Sequence, residues 1–278
     1  MSIPLTRGRA LTSGLSIGLP AIVFLLLLFV IPVGRLLLQG VDSGFGPLHR
    51  ALGDSLYLRI LADTLVISFY VTVVCLILGY PLAYALTIMR PGPAAICFAM
   101  LLVPFWTSIL VRTYAWMVLL GRNGIINNLL MYVGIIDTPM AMLNNLSGVL
   151  IGMVHVLLPY MVFPLYGAMK RIDPALVPAA EGLGASGLSV FLRVYFPLTL
   201  PGVLTGVTLV FVVAMGFYIT PALLGGGRVG MMAVVIERQV REFLDWPMAA
   251  ALSIALLGTA LLITVALRRL MRGDTQWT

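Results

Sequence analysis

Cutting this sequence at every Asp, Glu, Lys and Arg leaves six charge-free runs of at least 21 residues: 10–34, 64–89, 91–111, 138–169, 194–227 and 246–267. A helix needs only about 20 apolar residues to cross roughly 30 Å of hydrocarbon, so each run is long enough to span a bilayer. Hydrophobic residues make up 61% of the chain and charged residues 10%, against about a quarter charged in a soluble domain. A soluble fold, a disordered chain, a coiled coil and a disulfide-stapled secreted domain are excluded together. The expectation is an all-α integral membrane protein, a single transmembrane domain over 1–278 with six transmembrane helices at 12–38, 62–89, 94–120, 146–169, 199–223 and 247–268. The net charge of +7 is then read as membrane topology, with no nucleic acid as partner.

Arg7 and Arg9 precede an apolar stretch too long for a cleavable signal and without an Ala-x-Ala site, so it is read as a retained first helix. An even number of spans puts both termini on one side. Segments 1–9, 90, 170–193 and 268–278 hold nine Lys or Arg in 45 residues, whereas 35–63, 112–137 and 228–245 hold eight in 73. The denser side is cytoplasmic by the positive-inside rule, which places both termini there. Arg90-Pro91-Gly92-Pro93 forms a tight hairpin on that side, because two prolines around a glycine cannot continue a helix. The outer segment from Arg122 to Asn145, rich in Asn, is read as short helices over a pore mouth.

Several chemistries drop out. A phosphate-binding loop needs Gly-Lys followed by Ser or Thr, and the single lysine, Lys170, lies between Met169 and Arg171. Any ATP is therefore bound by another subunit, and this chain carries no cofactor. His49 and His155 are far apart and neither sits in a His-Glu-x-x-His motif, so no metal site is expected. Gly184-Ala185-Ser186-Gly187 has the form of a rhomboid-protease nucleophile motif, but no histidine follows His155 to activate Ser186. An ion-coupled secondary transporter would need intramembrane acids, and the six runs contain no charge. A membrane enzyme would need a convergent nucleophile and base, and none is seen. Cys75 and Cys97 both fall in apolar runs and are read as free.

The candidates for a substrate path are Arg112, Tyr114, Trp116, His155 and Tyr218. His155 lies about nine residues into the fourth span, near the midplane at about 1.5 Å per residue. An ionisable group there is a functional candidate, with a helix-to-helix hydrogen bond as the alternative. Arg112 ends the third run and is expected at the outer interface, either snorkelling or meeting substrate. Tyr114 and Trp116 either line a path or anchor at the interface. Tyr218 adjoins Thr220 and Pro221, where helix continuity is interrupted. The Gly-x-x-x-Gly pairs Gly14 to Gly18, Gly148 to Gly152 and Gly202 to Gly206 permit close helix approach, although 28 glycines produce such pairs by chance.

The segment 170–198 is the most informative. Asp173-Pro174 is a helix start, a short helix to about Leu183 follows, Gly182 and Gly184 break it, and Ser186 caps a second, apolar helix. Such a pair suits a protein partner, with an interfacial helix on lipid as the alternative. Ala179-Ala180-Glu181-Gly182-Leu183-Gly184, with Val194-Tyr195-Phe196-Pro197 ten residues on, resembles the EAA loop of permease subunits in bacterial ABC importers. In this register Ala179 and Ala180 match the motif's alanines, Gly184 its glycine, Val194 its aliphatic site and Pro197 its proline. Pro178 stands where that motif has glutamate. Pro104-Phe105-Trp106-Thr107, Arg112-Thr113-Tyr114-Ala115-Trp116, Asn123-Gly124-Ile125-Ile126-Asn127 and Asp245-Trp246-Pro247 resemble the spermidine/putrescine branch of these permeases.

The resemblance implies a type I ABC importer permease fold in the bacterial inner membrane. It also implies a second homologous permease subunit, two ATP-binding subunits carrying ATP and Mg, and an extracytoplasmic binding protein. Ala179, Ala180, Glu181, Leu183, Gly184, Ser186, Val194 and Pro197 would then meet an ATPase subunit. The implied cargo is a polyamine, the alternatives being another small cation, an opine or an amino-acid-like compound.

Overall fold

A computed structural model describes residues 19–20, 22–42 and 45–273. The Gly14 to Gly18 pair, Arg7, Arg9 and the first residues of the expected 12–38 span lie outside the described residues, as does the end of the tail. The described part is helical throughout its ordered elements, in chain order α1 (Ile22–Val41), α2 (Gly46–Gly53), α3 (Ser55–Ile88), α4 (Pro91–Trp106), α5 (Ile109–Leu120), α6 (Ile125–Tyr132), α7 (Leu146–Met169) and α8 (Leu176–Gly182). There follow α9 (Gly187–Met215), α10 (Ile219–Leu224), α11 (Met232–Arg241) and α12 (Trp246–Gly273). Five of these helices are long and apolar enough to cross a membrane, or six if α4 and the bent-away segment Ile109–Tyr132 (α5 and α6) make one span. The all-α, multi-span reading of the sequence is borne out.

Local chemistry sets the helix ends. The Asp54 carboxylate accepts from the Leu56 N–H at 2.8 Å and starts α3, earlier than the expected residue 62. The α3–α4 hairpin turns at Met89 and Arg90, both extended, with Pro91 at the first position of α4; a residue before proline avoids the helical region. Asn145 caps α7 by accepting from the Gly148 N–H at 3.0 Å.

The expected continuous third span, 94–120, is broken: α4 and the segment Ile109–Tyr132, which holds α5 and α6, are bent by 105°. Thr107 is extended and Ser108 is also non-helical (φ −57°, ψ 137°) between them, and the Thr107 hydroxyl donates to the Pro104 carbonyl at 3.1 Å. Pro104 has weakened the last turn of α4, and a Thr hydroxyl competing for backbone partners completes the break. The fifth span also departs from 199–223. The second short helix expected after Ser186 runs without a break into α9, and the helix stops at Met215, before Gly216. Continuity past Pro197 comes from one wide turn of π type at Phe191–Tyr195, where the Phe196 N–H reaches the Phe191 carbonyl; such turns absorb an extra residue within a helix.

The core is the three-way contact of α3, α7 and α9. Val71 and Cys75 of α3, Met153, Leu157 and Met161 of α7, and Val210 and Ala214 of α9 are fully buried there. Two glycines permit this approach. A Cβ on Gly206 would lie 2.7 Å from Met161 Sδ and 3.2 Å from the Met161 carbonyl, and one on Gly202 would lie 2.5 Å from Ala168 Cβ. The Gly202 to Gly206 pair is thus a contact face of α9 against α7. A second cluster joins α2, α11 and α12 through Ala51, Met232, Met248 and Leu252, and the Met232 N–H donates to the Thr64 hydroxyl of α3 at 2.8 Å. By contrast, Leu25, Leu28 and Phe29 of α1 are all exposed, the pattern of a helix whose solvent is lipid or a partner.

Candidate functional site

The broken helices generate the site. Because α4 and the segment Ile109–Tyr132 (α5 and α6 together) diverge by 105°, the straight-helix ruler that carried Arg112 to the outer interface does not apply. Arg112 lies close enough to His155 and Tyr160 of α7 to interact electrostatically. Its Nε is enclosed and makes no hydrogen bond. One turn further along α5, the Trp116 indole N–H donates to His155 Nδ1 at 3.2 Å. The two rings meet edge-on, with centroids 5.5 Å apart. Accepting at Nδ1 requires a neutral imidazole with its proton on Nε2.

A second pair of polar groups holds α5 to α10. The Thr113 and Thr220 hydroxyls are 3.3 Å apart and fully buried. Thr113 already donates to the Ile109 carbonyl at 2.8 Å, so Thr220 is the donor between them. Gly152 of α7 admits α10, since a Cβ there would lie 2.6 Å from both Thr220 Cγ2 and Leu224 Cδ1. Tyr160 packs against Phe105 of α4 at 5.1 Å between centroids. Pro159 and Pro164 lie within α7 and lack N–H groups, so the His155 and Tyr160 carbonyls lose their usual donors four residues on.

Of the path residues expected from the sequence, Arg112, Trp116 and His155 are brought together. Tyr114, two positions from each neighbour on α5, is rotated by about 200° from that face and is half-exposed on the other side. Tyr218 occupies the break between α9 and α10 and is also half-exposed. Tyr160, Phe105, Thr113 and Thr220 were missed. Tyr160 had a signal in the sequence, standing between two prolines on the same span as His155.

The loop residues form a separate constellation. Helix α8 closes with the Ala185 N–H on the Ala180 carbonyl and the Gly184 N–H on the Glu181 carbonyl, with Gly184 at φ +86°. This is the Schellman arrangement, whose left-handed residue is nearly always glycine. Asp173 accepts from the Ala175 N–H at 2.9 Å, and the Ser186 hydroxyl accepts from the Ser189 N–H at 3.4 Å and starts α9. Ala179 and Glu181 are exposed and Ala180 half-buried. Leu183 and Leu188 stand 90% and 70% exposed beside them, while Val194 is half-buried and Pro197 exposed.

No protein-family model matches this chain. It is 38% identical over 231 residues to the spermidine/putrescine transport system permease protein PotB of Escherichia coli (strain K12), covering 82% of this chain and 84% of that protein. The chain belongs to the PotB family of ABC importer permease proteins. The Haemophilus influenzae member is 36% identical over 248 residues, 85% of this chain and 87% of its own length. These relatives are permease proteins of transport systems, so the chain is a transport subunit and not an enzyme. Its fold is similar to that of a bacterial alginate ABC transporter solved in complex with alginate pentasaccharide-bound periplasmic protein, at a TM-score of 0.75 and 19% identity, covering 97% of this chain and 96% of that one. The spermidine/putrescine-branch resemblance read from segments such as Arg112–Trp116 and the type I importer permease fold read from the loop motif are both borne out.

Proposed function

We propose that this chain is the membrane-spanning subunit of an ATP-driven importer for a polyamine of the spermidine/putrescine class. The observation that carries the substrate class is the identity to PotB, sustained over more than four-fifths of both chains. The chain pairs with a second homologous permease subunit and takes substrate from an extracytoplasmic binding protein. Two ATP-binding subunits, which hold ATP and Mg, drive it. It is a multi-pass protein of the bacterial inner membrane with both termini in the cytoplasm, as the basic density of 1–9, 170–193 and 268–278 supports.

Helix α8 and the turn after it meet an ATPase subunit. Ala179, Ala180, Glu181, Leu183, Gly184 and Ser186 form the contact, and Val194 and Pro197 join it to α9. The exposed Leu183 and Leu188 support this, since apolar side chains standing in water favour a protein partner. The passage runs past Arg112, Trp116, His155 and Tyr218. Helices α5, α7, α9 and α10 carry no Asp or Glu, so this half of the passage holds an ammonium group only by aromatic faces and by the free His155 and Tyr160 carbonyls, at about 0.5 to 2 kcal/mol per cation–π contact. Arg112 repels the same cation. Weak holding suits a passage that must release its cargo.

Mass spectrometry of the small molecule retained by the cognate binding protein tests the substrate. Spermidine or putrescine is expected; an amino acid, opine or anion in its place would overturn the polyamine reading while leaving the permease assignment standing.

A further inference from the structure

A cavity of about 560 Å³ lies beneath α8, away from the Arg112–His155 passage, walled by the ends of α3 and α7, by α8 itself and by the start of α9. Its volume falls within the range of about 300 to 1,000 Å³ that small-molecule sites occupy. Tyr84, Phe191 and Tyr195 supply one wall. The Tyr84 and Tyr195 rings meet edge-on at 5.4 Å, and Tyr195 stacks on Phe191 at 6.1 Å. Asp173 and Glu181, both exposed, also line the cavity. The one basic residue lining the cavity, Lys170, has its ammonium 3.3 Å from the Thr87 carbonyl, to which it donates, and 5.8 Å from the centre of the Tyr166 ring.

Clustered aromatic rings and two carboxylates in one lining make a poor seat for an anion. They suit an organic ammonium, whose charge is attracted to ring faces and paired by the acids. A phosphate would meet the carboxylates as like charge, and an acyl chain would draw nothing from them.

We propose that this cavity is a binding site for a small organic cation of the diamine or polyamine class, seated between the Tyr84, Phe191 and Tyr195 rings and the Asp173 and Glu181 carboxylates. The choice of a polyamine as ligand rests on the transport reading above; the cationic character does not. A ligand there touches α8 on one side and the bundle on the other, and so fixes the gap between them.

The test is equilibrium binding of radiolabelled spermidine to the assembled complex in lipid nanodiscs, without the binding protein. Asp173→Asn keeps the oxygen that caps Ala175 and removes only the charge, and is expected to weaken the site by about tenfold. Tyr195→Ala should do the same, and Tyr195→Phe, which keeps the ring, should restore affinity to within about twofold. Tyr218→Ala should leave this site unchanged. If Tyr195→Ala fails to assemble, Asp173→Asn alone decides. The proposal is overturned by unaltered binding in Asp173→Asn, by loss in Tyr218→Ala instead, or by native mass spectra in which a phospholipid fills the cavity and spermidine does not displace it. Uptake of spermidine without this site would refute the inference alone; the site without uptake would refute the transport reading alone.

Discussion

The Trp116 N–H to His155 Nδ1 bond joins α5 to α7 where Arg112 Nε is left without a partner. An interhelical hydrogen bond of this kind contributes about 0.6 to 2 kcal/mol in a membrane bundle. Trp116→Phe removes the donor and keeps an aromatic ring, so the His155 acceptor is left unpaired. Thermal unfolding of the assembled complex should show a loss of about 1 kcal/mol, and uptake should slow with binding-protein affinity unchanged. A double-mutant cycle with His155→Phe separates this bond from mere bulk. A coupling energy near zero would mean that the two side chains act independently. This pairing was not legible in the sequence, because it joins residues 39 apart across a bend that a continuous apolar run conceals.

Helix ends and contact faces divide into those that sequence chemistry reveals and those it does not. Ser186 and Asn145 cap α9 and α7 as their residue types suggest, and the Gly202 to Gly206 face is visible as a pattern, though chance pairs such as Gly14 to Gly18 look the same on paper. The break at Thr107 and Ser108 was hidden for a physical reason: Pro81, Pro159, Pro164 and Pro201 all lie inside unbroken helices, so Pro104 did not stand out. Two glycines can be tested separately. Gly202→Val forces a side chain onto Ala168 Cβ and the Pro164 carbonyl, and overpacking of this sort costs about 1 to 3 kcal/mol; the yield of folded complex should fall. Gly184 has nothing within 4 Å of a Cβ, yet sits at φ +86°, so its cost is backbone strain alone. Gly184→Ala should therefore impair the proposed ATPase contact by about 1 to 2 kcal/mol with the bundle intact. Gly184→Asn should be milder, since Asn tolerates the left-handed region. A larger effect of Asn than of Ala on the ratio of ATP hydrolysed to solute imported would show that bulk, not backbone, matters at this turn.

Over the whole molecule, the six charge-free runs announced a membrane bundle, and the loop motif announced its family, because both are local properties of the chain. The arrangement of α5, α7 and α10 around Arg112 and His155 depends on two helix breaks and on a buried Thr113–Thr220 pair, and such long-range relations leave no mark in a single sequence. As a proposed importer subunit, this chain conducts a polyamine only when separate subunits hydrolyse ATP. The most direct measurement is uptake of radiolabelled spermidine into proteoliposomes, comparing this chain alone with the assembled complex supplied with binding protein and ATP. The chain alone is expected to release no phosphate and take up no spermidine, and the complex to accumulate spermidine in an ATP-dependent way that unlabelled putrescine competes away. Accumulation by the isolated chain, or a complex that hydrolyses ATP and imports no polyamine, would contradict this expectation.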